Sequence, residues 1–337
     1  MEIKEKVSLS NMTSFKIGGE ASYFALVKTV DEIKEAILFA RKKKIPWFIL
    51  GGGTNILIND EGYKGLVIKI DIKGVTGLKV GAGENWDDFV SQCVKNGLYG
   101  IENLSGIPGT VGASLVQNIG AYGVEVKDVI ESVEVFDTET LTTKILSNKD
   151  CNFGYRDSIF KKPKGKKYII TYVTFKLKKE GKLNIEYKDV KNYFVEKGII
   201  PTLQEVRKSI LEIRKGKFPD LSKYGTAGSF FKNPIIKKEQ YEKLLKEYPS
   251  IPHYEIYTAS GGIDELNMKI PLAWILDNVC NIKGIRKGNV GVYEKQPLVL
   301  VNWGGATAQE VKKYAEEITI LVKQKTGIDI DPEVQYI

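Results

Sequence analysis

"SGIPGTVGAS", residues 105–114, sets three glycines at intervals of three, Gly106, Gly109 and Gly112, with Pro108 fixing one backbone dihedral among them. "QNIGAYG", residues 117–123, follows almost at once, and no charged residue stands between Ser105 and Tyr122. Glycine lets a backbone come close to a bulky group, and neutral loops hold phosphate through their N–H groups alone. Plain structural turns are one reading of this stretch. The other is a wall against a large, flat, partly anionic ligand, and a dinucleotide such as FAD fits that description.

A second glycine loop lies upstream. "LGGGTNIL" (50–57) leaves one apolar run and enters another, with Gly51, Gly52 and Gly53 side by side. Consecutive free N–H groups favour an anion. As a dinucleotide fingerprint the loop is incomplete, because Ile56 stands where the third glycine belongs and no helix is expected after it. A tight hairpin is the alternative.

Outward from these loops the chain alternates helical and extended patterns. Thr29, Thr202 and Thr307 each precede a glutamate by three residues, the capping-box signal, and apolar residues follow at helical spacing. A fourth helix is expected from about Asn85, with Trp86, Phe89, Val90, Cys93 and Val94 inward and Gly97 ending it. The runs 47–50, 56–58, 66–70, 133–136 and 168–177 read as strands. The class is therefore mixed α/β. Residues 214–228, rich in Lys, Gly and Pro and without periodicity, read as a connection between domains.

The totals narrow the function classes. The chain has 337 residues, 42% hydrophobic and 27% charged, which suits a globular protein of two or three domains. No run of about 18 apolar residues marks a membrane span, and the charged N-terminus lacks a signal-peptide core. Three distant cysteines, Cys93, Cys151 and Cys280, give neither a disulfide framework nor a zinc site. A cytoplasmic protein is expected. The net charge of +8 and the lysine clusters at 41–44, 161–167 and 176–182 raise nucleic-acid binding. The 42 acidic residues are spread throughout, however, and no zinc-finger or RNA-recognition signature occurs. Anionic small molecules account for the excess equally well.

One serine poses a chemical question. Ser229 sits in "GTAGSFFKNP" (225–234), among glycines. A nucleophilic serine needs a base beside it, most often histidine. The chain holds one histidine, His253, and no G-x-S-x-G elbow. Ser229 is therefore either a turn residue or a group whose chemistry needs no histidine.

"LGGGTNILI", "GAGENW", "NLSGIPGTVGAS", "QNIGAYG", "FGYRDSIFK", "GSFFKNP" and "DPEVQYI" follow one another from residue 50 to 337. In that order the chain resembles the UDP-N-acetylenolpyruvoylglucosamine reductases, also called UDP-N-acetylmuramate dehydrogenases, from about Ser14 to its end. "IEYKDV" (185–190) looks like the tyrosine loop of the longer subtype. One departure is Thr54, where relatives often carry serine.

The resemblance implies an FAD-binding fold of the vanillyl-alcohol-oxidase type in two subdomains, plus a smaller α+β substrate-binding domain. The divisions expected are 1–66 and 67–214 for the flavin, 215–327 for the substrate, and 328–337 returning to the active site. It implies FAD and NADPH as cofactors and a UDP-linked enolpyruvyl sugar as small-molecule substrate. No nucleic-acid or membrane partner is expected, and the chain is expected to be a monomer. The flavin would be held by Gly51, Gly52, Gly53, Thr54 and Asn55. Ile107, Pro108, Gly109, Gly112 and Ser114 would join them, with Gln117, Asn118 and Gly120. The nucleotide sugar would meet Tyr187, Lys217, Asn233, Tyr254 and Lys283.

The implied reaction fixes what its site must supply. Hydride delivered to the CH2 carbon of the enol ether builds negative charge on the neighbouring carbon and its carboxylate. Arg156, in FGYRDSIFK, offers a guanidinium fork for that carboxylate; an ion pair with an acidic residue is the alternative. Glu333, in DPEVQYI, matches the family's second stabiliser, useful if it is protonated or shares a proton; a solvated glutamate near a frayed terminus is the alternative. Ser229 then has a role without histidine. A carbanion or enediolate is basic enough to take a proton from a hydroxyl, so Ser229 acts as an acid and not as a nucleophile. Two rival classes remain: a sugar or alcohol oxidase with covalently tethered flavin, and a nucleotide-binding module without turnover.

Overall fold

Leu50 and Lys69 face each other across two parallel strands, Trp47–Leu50 and Tyr63–Ile70, and this pairing delivers the chain into the first glycine loop. The computed structural model describes residues 1–256 and 262–337. It divides into two compact units: residues 1–12, 20–54 and 62–216 form the first, and residues 13–19, 55–61 and 217–337 the second.

The first unit holds two sheets. One runs in the order Ile3–Ser8, Glu20–Val27, Tyr63–Ile70, Trp47–Leu50, with an antiparallel outer pair and parallel inner pairs. The other is antiparallel throughout: Thr142–Ser147, Ile130–Asp137, Tyr168–Phe175, Lys79–Gly81, Val75–Thr76. Helices α1 (Val30–Lys43) and α2 (Trp86–Lys95) bury their apolar stripes in one core with both sheets. Thr29 and Asn85 cap them, accepting from the N–H groups of Glu32 and Asp88. Three further helices follow: α3 (Val111–Val116), α4 (Lys188–Lys197) and α5 (Leu203–Lys217).

The second unit has a three-stranded antiparallel sheet, Arg286–Lys287, Val290–Tyr293 and Gln296–Asn302. It also holds helices α6 (Lys238–Glu247), α7 (Leu272–Asn278) and α8 (Ala308–Thr326). The reciprocal capping box at Thr307 and Glu310 opens α8, and Gly327, in the left-handed region, ends it. Phe230, Phe231, Leu272, Val292, Leu300 and Val311 belong to its core. Among the described residues no helix is long and apolar enough to cross a membrane.

Two expectations change on contact with the structure. The run 56–58 does not join the main sheet; Ile56–Leu57 pairs in parallel with the terminal strand Gln335–Tyr336. That pairing also holds the C-terminus, which does not fray: Ile337 N–H donates to Leu57 O at 3.0 Å and Asn59 N–H to Ile337 O at 2.9 Å.

Candidate active site

Both glycine loops belong largely to the first unit, and backbone crowding explains their composition. A Cβ on Gly52 would lie 2.7 Å from the Gly109 Cα, and one on Gly51 would lie 2.8 Å from the Ala113 Cβ. Gly109 holds φ +131°, which side chains resist. Thr54 Oγ1 donates to Pro108 O at 3.2 Å, so this hydroxyl ties the loops together. The result is a neutral surface of main chain from two loops, suited to a diphosphate and a flat ring system.

Part of the second loop is engaged elsewhere. Gly112 is required by packing on Ala82, where a Cβ would come within 2.6 Å, and its N–H donates to Ala82 O. Ser114 is buried, and its hydroxyl donates to Val111 O at 2.7 Å. Ile107 packs against the core, Pro108 is exposed, and Gln117 stands at the end of α3.

Gly106, which opens the loop, is clamped from two helices. Its N–H donates to Asp87 Oδ1 at 2.6 Å, and its carbonyl accepts from Arg214 Nε at 3.0 Å. Arg207 of α5 grips the same Asp87 with both guanidinium ends, at 2.6 and 2.9 Å. Burial pushes the Asp87 carboxyl up, but the Arg207 bonds, the Gly106 N–H and the nearby guanidinium charges outweigh it and hold it below the usual range. Sequence reasoning missed this clamp. Asp87 reads as an ordinary acidic residue in a first helical turn, and its partner lies 120 positions away.

The motifs 117–123 and 153–161 are stitched into one piece. Gly154 and Asp157 exchange backbone hydrogen bonds, which puts Tyr155 and Arg156 at the tip of a tight turn. Arg156 has φ +52° there, and its Nη2 donates to Gly120 O at 2.8 Å. Asn118, wholly buried, donates to Gly154 O and Glu125 Oε2 and accepts from Lys127 N–H. Asp157 pairs with Lys162 and not with Arg156. Tyr187, the residue before α4, meets the Tyr122 ring edge-on at 5.3 Å.

In the second unit the backbone brings Ser229 and Glu333 onto neighbouring segments. Gly225 is forced by the Phe15 carbonyl, 2.1 Å from where a Cβ would sit, and Gly228 turns at φ +75°. Ser229 then bridges Val299, while Phe230 and Phe231 sink into the core. Glu333 N–H donates to Phe230 O at 2.7 Å, and Glu333 is half-buried. Asn55 joins the same seam: its Nδ2 donates to Glu333 O at 3.1 Å, and its carbonyl accepts from Gln335 N–H.

The other substrate candidates lie on separate elements. Lys217 closes α5. Asn233 accepts Leu272 N–H at 3.0 Å through its side-chain carbonyl, at the start of α7. Lys283 pairs with Asp277 at 2.7 Å. Tyr254 is exposed and bridges Lys269, whose ammonium lies 5.5 Å from its ring centre.

Burial pushes the thiols of Cys93 and Cys151 up to about 12 and that of Cys280 to about 11, which disfavours the nucleophilic thiolate at each. His253 is engaged with the Tyr241 hydroxyl at 3.0 Å. Among the described residues no group of acidic, histidine or cysteine side chains could hold a metal ion.

Comparison with known proteins bears on the whole chain. The family model described as FAD binding domain matches residues 21–144. The model described as the C-terminal domain of UDP-N-acetylenolpyruvoylglucosamine reductase matches residues 220–337. The chain is 40% identical over 346 residues to the enzyme of that name from Porphyromonas gingivalis, covering 100% of both. It is 42% identical over 344 residues to the one from Bacteroides fragilis, covering 99% of this chain and 100% of that one. The crystal structure of the corresponding reductase from Thermus caldophilus matches at a TM-score of 0.71 and 25% identity, covering 100% of this chain and 99% of that one.

Proposed function

The chain belongs to the UDP-N-acetylenolpyruvoylglucosamine reductase family, and from that premise we propose how its own residues carry the reaction. It is an FAD-dependent oxidoreductase that reduces the enolpyruvyl ether of UDP-N-acetylglucosamine to UDP-N-acetylmuramate with NADPH, a step of peptidoglycan synthesis. The residues present suit the flavin: two neutral glycine loops meet main chain to main chain, at Gly52 and Gly109. In this reading Gly51 to Asn55, Ile107 to Gly109, Gln117 and Gly120 would hold the flavin, with buried Asn118 bracing the second loop from behind. Gly112 and Ser114 shape the loop from within.

Bound flavin supplies the hydride taken from NADPH. The protein's task is to hold the substrate carboxylate, to stabilise charge as it develops and to deliver a proton. Arg156 provides the cation, and its bond to Gly120 O sets the plane of the guanidinium before substrate arrives. Glu333 stabilises the carboxylate side as a hydrogen-bonding carboxyl. Ser229 gives the proton to the carbon next to the carboxylate. The observation that carries these roles is the bond from Glu333 N–H to Phe230 O, which fixes the two groups on adjacent backbone. Tyr187, Lys217, Asn233, Tyr254 and Lys283 bind the nucleotide sugar, the cations on its diphosphate.

Ser229→Ala tests the assignment. Flavin reduction by NADPH should be nearly unchanged, while reoxidation by the enolpyruvyl substrate falls by about 100- to 10,000-fold. Ser229→Cys should recover part of the loss. Equal loss in both half-reactions, with a drop in thermal stability, would return Ser229 to a turn residue.

The reading extends to arrangement. It takes 1–66 and 67–214 as flavin subdomains, 215–327 as the substrate domain and 328–337 as the returning segment. It takes the protein as a cytoplasmic monomer that handles small molecules, not nucleic acid or membrane. A dimer by light scattering would overturn the monomer.

A further inference from the structure

Lys69 interrupts a buried apolar strand: from Leu66 to Ile70 it is the one residue that is not buried. It faces Leu50, the residue before the first glycine loop, and its ammonium donates to Gly51 O at 3.0 Å. Desolvation lowers its pKa, with Asp71 acting against that and Lys73 with it. Holding an ammonium partly out of water is costly, and a neutral donor would satisfy a single carbonyl as well.

The geometry has a consequence for the loop. In a trans peptide the C=O and the next N–H point in opposite directions. Fixing the Gly51 carbonyl toward Lys69 therefore turns the Gly52 N–H away from strand Tyr63–Ile70. Neither Gly51 nor Gly52 has a Cβ to bias that peptide plane, so a bond to its carbonyl can set it. We propose that Lys69 is a positioning residue for the flavin diphosphate: it orients the Gly51–Gly52 peptide as an anion donor and adds positive charge behind it. This rests on loop 51–55 receiving the diphosphate.

The test is FAD binding to flavin-free protein, read by quenching of flavin fluorescence over a salt series. Lys69→Met should raise the Kd about 10- to 100-fold, the loss of one charge-assisted hydrogen bond. Lys69→Arg should stay near wild type. Lys69→Gln should fall between, because it keeps a donor, and its Kd should depend less on salt, because the charge is gone. Wild-type Kd and salt dependence in Lys69→Met would overturn the proposal. So would equal weakening in the Met, Gln and Arg variants together with a lower melting temperature of the flavin-free protein, which would reduce Lys69 to packing. Gly52→Val separates the premise: wild-type affinity in that variant would remove the loop assignment itself. Loss of FAD in Gly52→Val with full affinity in Lys69→Met would leave the loop and dismiss the lysine.

Discussion

Arg156 sits at φ +52°, a conformation that costs a non-glycine residue about 1–3 kcal/mol. The turn closed by Gly154 and Asp157 and the Arg156–Gly120 bond hold it there. Such local strain is expected where a side chain must be aimed. Arg156→Lys should therefore fail to rescue the loss in Arg156→Ala, each lowering kcat by about 100-fold or more, because a point charge lacks the fork. Full activity in the lysine variant, measured at saturating substrate, would make Arg156 structural. The thiols give a second prediction. With burial raising Cys93 and Cys151 to about 12, the native protein should leave both unmodified by iodoacetamide at pH 7.5, and unfolded protein should react at all three cysteines. Unfolding should also release all the flavin; flavin retained on a cysteine peptide would revive the tethered-flavin oxidase. At this scale the sequence made identities legible. The chain's single histidine and missing elbow set aside the nucleophile reading of Ser229, and only the reaction implied by the family resemblance makes it an acid rather than a turn residue. What stayed hidden were φ values and partners. Neither the Gly120 carbonyl beside Arg156 nor the Gly51 carbonyl beside Lys69 is written in any local pattern.

Helices α2 and α5 are coupled through Asp87, which binds Arg207 and the Gly106 N–H together. Its depressed pKa fixes the sign of a pH effect. The stabilisation is complete above the unfolded carboxyl's value, near 4, and is lost as pH falls through the lower folded value. Asp87→Asn should cost about 1–3 kcal/mol at pH 7 in urea unfolding, and the gap to wild type should narrow below pH 4. A gap independent of pH would show that the charge contributes nothing. Helices with caps were readable: Thr29, Asn85, Thr202 and Thr307 each accept from the N–H three residues on. Helices α3 and α7, of six and seven residues, were not, because they are too short for a periodic stripe. Helix α4 starts without a side-chain cap, and α6 buries only Tyr241 and Leu244 among its charges.

On the scale of the molecule, the chain enters the second unit three times, at 13–19, 55–61 and 217–337, which contiguous ranges cannot express. The short segments are there because Ile56–Leu57 pairs with the C-terminal strand and Ser14 donates to Thr226 O at 2.6 Å. Both are long-range contacts with no sequence signature. The family motifs were legible because a β-carbon would collide with the Gly109 main chain at Gly52 and with the Ala113 and Ala82 β-carbons at Gly51 and Gly112. The activity itself is tested by one anaerobic titration of the purified yellow protein. NADPH alone should bleach the flavin absorbance, and the enolpyruvyl ether of UDP-N-acetylglucosamine should restore it in one equivalent, with UDP-N-acetylmuramate as product. Flavin that stayed reduced after that addition would contradict the assigned function.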